Sequence, residues 1–211
     1  MRVTEIYKSI QGETTFAGLP CTLVRFTGCN LRCVWCDTPH SFHGGEDRTR
    51  DEIRAEVKRL GAPLVLLTGG EPLLQKDLPE LAQELIDDGF RVMVETGGSL
   101  DVSPMPSGAV IILDLKCPKS GEMHRNLWSN LAALKAGDEV KFVVADHGDF
   151  EWARGVVDAG KIPAFAEILY SPVHGVCAPK DLVQWVLDAR VRGRVQLQLH
   201  KYIWGADAQG V

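Results

Sequence analysis

The amino-acid sequence predicts an α/β fold in which parallel strands form a partial barrel with a reduced set of helices. Short apolar segments alternate with amphipathic ones, and several apolar segments are unbroken runs of Val, Leu and Ile, which are typical of strands covered on both faces. This alternation favours right-handed crossovers and a parallel sheet. About seven strands and five helices are too few for a closed eight-unit barrel, which typically takes about 250 residues. We therefore expect an open, TIM-like barrel.

Terminal residues support the predicted helices, and apolar runs support the strands. Thr49 and Glu52 resemble a capping box at the start of the first helix, and Gly61 is placed to end it. Residues 99–108 are too few, and too rich in turn formers, for a crossover helix. Three of the predicted helices have clear bounds, at residues 51–60, 76–88 and 179–191. The predicted strands are residues 22–26, 64–67, 91–95, 110–115, 140–144, 164–169 and 195–199.

The composition favours one soluble domain over residues 1–211. Apolar residues make up 45% of the chain and charged residues 24%, which is enough apolar material for one buried core. No apolar run approaches the roughly 20 residues of a membrane span, and no secretory leader is evident, so we expect a cytoplasmic protein without a membrane partner. The formal net charge of -5 argues against direct binding of nucleic acid.

Three cysteines lie close together after the first predicted strand. Cys29, Cys33 and Cys36 have a Cys-x3-Cys-x2-Cys spacing, and Trp35 directly precedes the last of them. Three thiolates can hold three irons of a 4Fe–4S cubane and leave the fourth iron open to react. A structural zinc site is the alternative, which requires a fourth ligand from elsewhere in the chain. Disulfides are disfavoured because an intracellular protein keeps its thiols reduced.

Polar motifs follow five of the predicted strands. In parallel barrels the loops after the strand C-termini form the active site, so we expect these motifs and the cysteine loop to face one mouth. A cluster bound at that mouth is a catalytic cofactor. The motifs are Thr68–Pro72, Glu95–Gly98, Asp114 with Lys116, Ser171–His174 and His200–Tyr202.

The cysteine loop and the Gly-Gly-Glu-Pro segment at residues 69–72 together resemble the radical S-adenosylmethionine superfamily. Within it, the chain resembles the 7-carboxy-7-deazaguanine synthases over essentially its whole length. The segments that carry this resemblance are Glu5–Glu13, Arg25–Leu31, Cys36–Thr38, Glu95–Gly98 and His200–Tyr202.

The resemblance implies a lyase that converts 6-carboxy-5,6,7,8-tetrahydropterin to 7-carboxy-7-deazaguanine with release of ammonia. This reaction is a step toward queuosine, a tRNA modification, and related deazapurines. In such enzymes a reduced 4Fe–4S cluster cleaves S-adenosylmethionine to a 5′-deoxyadenosyl radical, the S-adenosylmethionine is regenerated, and Mg²⁺ assists. The implied partners are the pterin, an external flavodoxin-like or ferredoxin-like electron donor, and a second copy of the chain in a homodimer.

The resemblance also implies a role for each matching position, with no catalytic side chain beyond the cluster and its cofactor. The 4Fe–4S cluster is expected on Cys29, Cys33 and Cys36, and Mg²⁺ on the hydroxyl of Thr38. S-adenosylmethionine is expected at Trp35, Asp37, Gly70, Glu71, Asp114, Leu115, Lys116, Ser171, Pro172, Val173 and His174. The pterin is expected at Ile10, Gln11, Gly12, Glu13, Arg25, Thr68 and His200.

Two alternatives remain open at this level. Arg25 lies within an apolar strand and needs an anion, which is either a structural carboxylate or the substrate. The family position favours the substrate. A glycyl-radical activating enzyme is the alternative function because it shares the cysteine loop and the small size, although it needs neither Arg25 nor the Gln-Gly-Glu segment.

Overall fold

The computed structural model describes residues 1–206 and 208–211, and one sheet of nine strands runs through them. The strands are β1 (Arg2–Ile10), β2 (Pro20–Phe26), β3 (Glu46–Asp47), β4 (Leu64–Gly69), β5 (Arg91–Thr96), β6 (Val110–Asp114), β7 (Glu139–Val144), β8 (Glu167–Pro172) and β9 (Arg194–Val195). Their order is β3-β1-β2-β4-β5-β6-β7-β8-β9. Neighbours from β2 onward in this order are parallel, whereas β1 is antiparallel to both of its neighbours. The sheet ends at β3 and β9 without closing, which confirms the predicted open barrel.

Most of the helices cover the outer face of the sheet, and they are fewer than in a closed barrel. They are α1 (Arg50–Leu60), α2 (Leu78–Asp87), α3 (Asn130–Ala133), α4 (His147–Asp158), α5 (Pro179–Ala189) and α6 (Leu199–Trp204). α1 begins with the predicted capping box at Thr49 and Glu52 and ends at Gly61, whose φ is 67°. No helix lies between β5 and β6, as predicted from residues 99–108. Among the described residues, none of the helices is long and apolar enough to cross a membrane.

The last predicted strand, residues 195–199, is wrong beyond its first residue. Only Arg194 and Val195 pair with β8, and the chain then leaves the sheet and forms α6 from Leu199. The backbone N–H of Leu199 donates to the carbonyl of Gly12 at 2.9 Å, a contact between distant parts of the chain that a local apolar run does not reveal. His200 therefore lies on a helix. The strand predicted over residues 164–169 also begins later, as β8.

Alternation along the strands separates two apolar clusters. Val65 and Leu67 of β4 point outward into the main core, which they share with residues of α1 and α2. Leu64 and Leu66 point to the other face and belong to a small inner cluster. The other buried members of that inner cluster are Cys21, Met93 and Ile112. The interior of the open barrel thus has an apolar floor.

Toward the carboxyl ends of the strands, the inward positions become polar. Thr68 follows Leu66 by two residues in β4, and Asp114 follows Ile112 in β6. Successive inward side chains in a strand are two residues apart, so each polar side chain lies one step above the apolar floor. The equivalent inward positions of neighbouring strands carry Arg25, Glu95, Lys141 and Ser171. The fold therefore places a ring of polar side chains at one mouth.

Candidate active site

A cavity of about 760 Å³ opens at the carboxyl ends of the strands. This volume is typical of a small-molecule site. Most of the predicted site residues line it, and they come from every part of the chain. The predicted residues in its wall are Ile10, Gln11, Gly12, Glu13, Arg25, Cys29, Cys33, Trp35, Cys36, Asp37, Thr38, Thr68, Gly70, Asp114, Lys116, Ser171, Val173, His174 and His200. The remaining predicted residues are buried behind the wall, and they are Glu71, Leu115 and Pro172.

The cysteine loop follows β2 and forms one wall of the cavity. Its backbone is anchored at Gly28, whose N–H donates to the carbonyl of Ser41 at 2.8 Å, and at Val34, whose N–H donates to the carbonyl of Ser120 at 3.1 Å. The three thiols are free and half-buried. Burial raises the pKa of Cys33 to about 11, so this thiol needs a bound metal to be a thiolate at neutral pH.

The three thiols fit a 4Fe–4S cluster. Among the described residues, no three His, Cys, Asp or Glu side chains converge on the position of a single metal ion. A cubane does not require the three side chains to meet at one point, because each thiolate binds a separate iron. Three free thiols from one loop, on the wall of an open cavity, suit a cubane and leave room for a ligand on the fourth iron.

The glycines after β4 allow two loops to touch. A Cβ on Gly69, where φ is 147°, would lie 2.3 Å from the carbonyl oxygen of Phe26. A Cβ on Gly70 would lie 2.2 Å from the carbonyl oxygen of Gly28 and 2.8 Å from Cβ of Cys29. Only residues without a side chain permit this approach. The glycine pair therefore sets the position of the cysteine loop against the end of β4.

Glu71 joins the ends of two strands. Its carboxylate is buried and accepts hydrogen bonds from Thr96 Oγ1 at 2.8 and 2.9 Å, from the N–H of Gly97 at 2.8 Å and from the N–H of Leu73 at 3.0 Å. Burial raises the pKa of this carboxyl, and the four hydrogen bonds oppose that rise. The geometry assigns Glu71 to holding the loops after β4 and β5, and its predicted contact with S-adenosylmethionine stays a prediction.

Asp114 and Lys116 form an ion pair between the cysteine loop and the barrel interior. Lys116 Nζ lies 2.8 Å from Asp114 Oδ2. Burial disfavours the Lys116 ammonium, but the adjacent Asp114 carboxylate outweighs burial and raises the pKa of Lys116. The second oxygen of Asp114, Oδ1, is buried and has no hydrogen-bond partner. A buried acceptor left in this way is suited to a donor on a bound ligand.

Arg25 has a structural partner and still faces the cavity. Its Nε donates to Glu5 Oε1 at 2.7 Å, and Nη2 lies 3.4 Å from the hydroxyl of Tyr7. A guanidinium carries five N–H donors in a planar fork, so donors remain for a second anion. Both anions considered from the sequence are compatible with this geometry.

Gln11 and Glu13 face the cavity from the turn after β1. The carboxamide oxygen of Gln11 accepts from the N–H of Glu13 at 3.1 Å, whereas its Nε2 is buried without a partner. Glu13 is held by the ammonium of Lys141 at 2.9 Å and by Gln198 Nε2 at 2.8 Å. Burial raises the pKa of the Glu13 carboxyl, but the Lys141 ammonium outweighs burial and lowers it overall. One unpaired donor and one carboxylate are therefore presented to the same space.

The C-terminal helix α6 closes the opposite side. A Cβ on Gly12 would lie 2.2 Å from His200 Nδ1, so the glycine allows α6 to pack against the turn after β1. Asp37 of the cysteine loop accepts from Lys201 Nζ at 3.0 Å and from Gln198 Nε2 at 3.1 Å. Burial opposes the Asp37 carboxylate, but these contacts outweigh burial and lower its pKa to about 2. α6 thus connects the cysteine loop with the region around Glu13.

Several polar residues of this cavity had no role assigned from the sequence. Glu95 and Lys201 were noticed only as parts of motifs, and the position of Gln198 depends on the docking of α6. Lys141 had a signal in the sequence, because it is the one charged residue within the predicted strand 140–144, and it pairs in register with Asp114 of β6. The polar wall residues without an assigned role are Glu5, Tyr7, His40, Glu95, Thr96, Lys141, Gln198, Lys201 and Gln209.

Comparisons with known proteins agree with this geometry. Residues 23–107 match the model of the radical SAM superfamily. The chain is 42% identical to the 7-carboxy-7-deazaguanine synthase of Koribacter versatilis, over 100% of both chains. It is 42% identical to the synthase of Chlorobaculum tepidum, over 100% of this chain and 97% of that one. The chain belongs to the 7-carboxy-7-deazaguanine synthase family.

The solved structures support the fold. The crystal structure of QueE from Escherichia coli aligns with a TM-score of 0.79 over 94% of both chains, at 23% identity. Membership of the 7-carboxy-7-deazaguanine synthase family makes the protein a radical S-adenosylmethionine lyase of deazapurine biosynthesis, with a 4Fe–4S cluster and S-adenosylmethionine as cofactors. It acts on a small molecule and takes electrons from a donor. These relatives favour the synthase over the glycyl-radical activating enzyme.

Proposed function

We propose that this protein converts 6-carboxy-5,6,7,8-tetrahydropterin to 7-carboxy-7-deazaguanine and releases ammonia. The observation that carries the proposal is a single cavity with two different walls. The cysteine loop forms one wall, and Arg25, Gln11 and Glu13 present an anion site, a free donor and a carboxylate on another. A pterin carboxylate bears the negative charge that Arg25 can bind, and its ring bears the donors and acceptors that the other two side chains complement.

We assign the cofactors to the cysteine loop and to residues at the ends of the strands. Cys29, Cys33 and Cys36 would hold the cluster, whose chemistry with S-adenosylmethionine supplies the radical. The residues assigned to S-adenosylmethionine are Trp35, Asp37, Gly70, Glu71, Asp114, Leu115, Lys116, Ser171, Pro172, Val173 and His174. The unpartnered Oδ1 of Asp114 supports this assignment because a bound ligand offers it a donor.

The remaining residues are assigned to the pterin and to Mg²⁺. Thr38 Oγ1 lies 3.9 Å from Cys36 Sγ on the cavity wall, and this hydroxyl would be a protein ligand of Mg²⁺. Arg25 would orient that carboxylate, and the pterin ring would lie against the turn after β1 and against α6. The residues assigned to the pterin are Ile10, Gln11, Gly12, Glu13, Arg25, Thr68 and His200.

Four further assignments accompany the reaction. We propose one radical S-adenosylmethionine domain over residues 1–211, which the continuous sheet supports. We propose a homodimer, which the unpaired edges of the open barrel favour. We also propose a cytoplasmic site of action with a flavodoxin-like or ferredoxin-like electron donor, because the free thiols of the cysteine loop need a reducing compartment.

An anaerobic assay tests the reaction. Protein reconstituted with iron and sulfide is mixed with reductant, S-adenosylmethionine, Mg²⁺ and the carboxylated tetrahydropterin. Mass spectrometry should detect 7-carboxy-7-deazaguanine together with equimolar ammonia, and a Cys36→Ala variant should form neither product. Cluster-loaded protein that cleaves S-adenosylmethionine but forms no deazapurine would refute the proposed substrate.

A further inference from the structure

Lys141 lies among three carboxylates in the cavity wall. Its side chain extends inward from β7 and is only 6% exposed. Its Nζ lies 2.9 Å from Glu13 Oε2 and 3.9 Å from Asp114 Oδ2, and it also donates to Glu95 Oε1. The three carboxylates come from the turn after β1 and from the ends of β5 and β6. One ammonium therefore joins three separate parts of the site.

The charges around Lys141 are unequal. The charged groups that face Lys141 are Glu13, Glu95, Asp114 and the ammonium of Lys116. Asp37 lies near Lys141 and Glu13, Glu139 lies near Glu95, and His200 lies near Glu13. Asp114 already has Lys116 as a partner at 2.8 Å. Glu13 and Glu95 have Lys141 as their shared cation. Glu13 and Glu95 are largely withdrawn from solvent and both contact the Lys141 ammonium, so without that cation one of the two carboxylates is expected to take up a proton.

The position of this group points to ligand binding more than to stability. A buried ion cluster is seldom more stable than apolar side chains of similar volume. The floor of the same barrel is apolar, and Met93 and Ile112 lie one inward step below Glu95 and Asp114. Lys141, Glu13 and Glu95 also line the cavity and are not sealed within the core. Buried charges that lower the stability of the fold are expected at a place where they strengthen the binding of a ligand.

We propose that Lys141 is a positioning residue that keeps Glu13 and Glu95 ionised and aimed at the pterin. This inference rests on the proposed function, because it takes the pterin as the ligand of the cavity. Burial raises the pKa of Glu95 and the Lys141 ammonium opposes that rise, so loss of the ammonium moves ionisation of both carboxyls to higher pH. Lys141 acts through its carboxylate partners, and the site requires its positive charge to keep them ionised.

Neutral substitutions of Lys141 test the inference through the pH dependence of binding. Binding of 6-carboxypterin, the oxidised relative of the substrate, is measured by anaerobic equilibrium dialysis with cluster-loaded protein and S-adenosylmethionine between about pH 5 and pH 9. Lys141→Met and Lys141→Gln should bind 6-carboxypterin more weakly than the wild type at acidic pH, and their affinity should recover at higher pH. A displacement of the acidic limb by one pH unit corresponds to about a tenfold change in Kd at a given acidic pH.

A charge-conserving variant and a remote control separate charge from packing. Lys141→Arg should keep the acidic limb of the wild type, and so should Lys161→Met, which removes an exposed lysine over Trp128 outside the cavity. Either neutral variant is sufficient if the other does not fold. If neither neutral variant folds, the pH dependence of binding by Lys141→Arg decides. An acidic limb of that curve that coincides with the wild type supports the inference, and a displaced acidic limb refutes it.

The outcomes distinguish the two proposals. Neutral variants that keep the wild-type limb, or that lose binding equally at every pH, refute the role of Lys141 and leave the proposed function intact. Wild-type protein that does not bind 6-carboxypterin at any pH refutes the proposed function and this inference together.

Discussion

Arg25 illustrates how one side chain can have a structural and a functional partner. Glu5 fixes the guanidinium through Nε at 2.7 Å, and Tyr7 lies beside Nη2. These contacts orient the planar fork and use only part of its donors, so the remaining ones face the cavity. A lysine at this position would offer one ammonium to both Glu5 and the ligand.

Replacement of Arg25 by lysine should weaken substrate binding more than it slows turnover. We expect KM for the pterin to rise about tenfold or more, because a charged hydrogen bond contributes roughly 1.5–3 kcal/mol, while kcat changes less. Arg48→Lys, which alters an exposed ion pair with Glu46, is the matched control and should leave KM unchanged. Equal KM values for Arg25→Lys and the wild type would contradict the assignment.

The protonation of His200 has a predictable effect on stability. Burial lowers the pKa of His200 below its ordinary value of 6.5. The unfolded chain then takes up the proton at higher pH than the folded chain does. Stability from this residue is complete above about pH 6.5 and is lost as the pH falls toward the lower folded pKa.

Urea unfolding at about pH 7.5 and about pH 5.5 measures this effect. The free energy of unfolding should fall less in His200→Gln than in the wild type over this interval. The NMR titration midpoint of His200 should lie below 6.5. A midpoint at or above that value would contradict the burial argument.

The elements of the sheet differ in how far the sequence predicts them. β4, β5 and β6 each contain a continuous apolar run whose strand character is local, and β7 is apolar apart from Glu139 and Lys141. α1 carries its own start and stop signals at Thr49 and Gly61. β1 was not predicted, because its side chains are mostly half-exposed and it contains no apolar run. Residues 196–199 were predicted to continue a strand but leave the sheet, since the start of α6 depends on a contact with Gly12, which is distant in sequence. Contacts between residues that are distant in sequence form only in the assembled fold, so local sequence patterns do not reveal them.

The turn after β4 should determine whether the cluster can be loaded. In Gly70→Ala the new Cβ would lie 2.2 Å from the carbonyl oxygen of Gly28, so the cysteine loop must move. We expect a clear loss of iron and of visible absorbance after reconstitution. Gly155→Ala is the control, because its Cβ would meet nothing within 4 Å on an exposed helical turn, and it should load normally. Full cluster content in Gly70→Ala would contradict this reading of the turn.

At the scale of the whole molecule, the apolar core that stabilises the fold is largely separate from the cysteine loop. The main core lies between the sheet and its outer helices, and the thiols lie in the cavity wall at the mouth. The sequence predicted the open barrel and a mouth where the strand-end motifs meet, because such motifs in a parallel sheet converge. It did not predict Lys141 or Gln198, because their roles depend on strand register and on the docking of α6.

Removal of the cluster should therefore leave the fold intact. Anaerobic chelation of the iron is expected to abolish visible absorbance while the far-UV circular dichroism stays the same. Small zinc domains behave differently, because their metal supplies the folding free energy. Loss of the helical signal on chelation would show that the cysteine loop is required for the fold.

A crystal structure with both S-adenosylmethionine and the carboxylated tetrahydropterin tests the central claim most directly. The two-walled cavity predicts S-adenosylmethionine between the cysteine loop and the pterin. It also predicts the pterin carboxylate on Arg25 and the pterin ring against Gln11 and Glu13. A pterin bound outside this cavity, or one whose carboxylate does not contact Arg25, would contradict it.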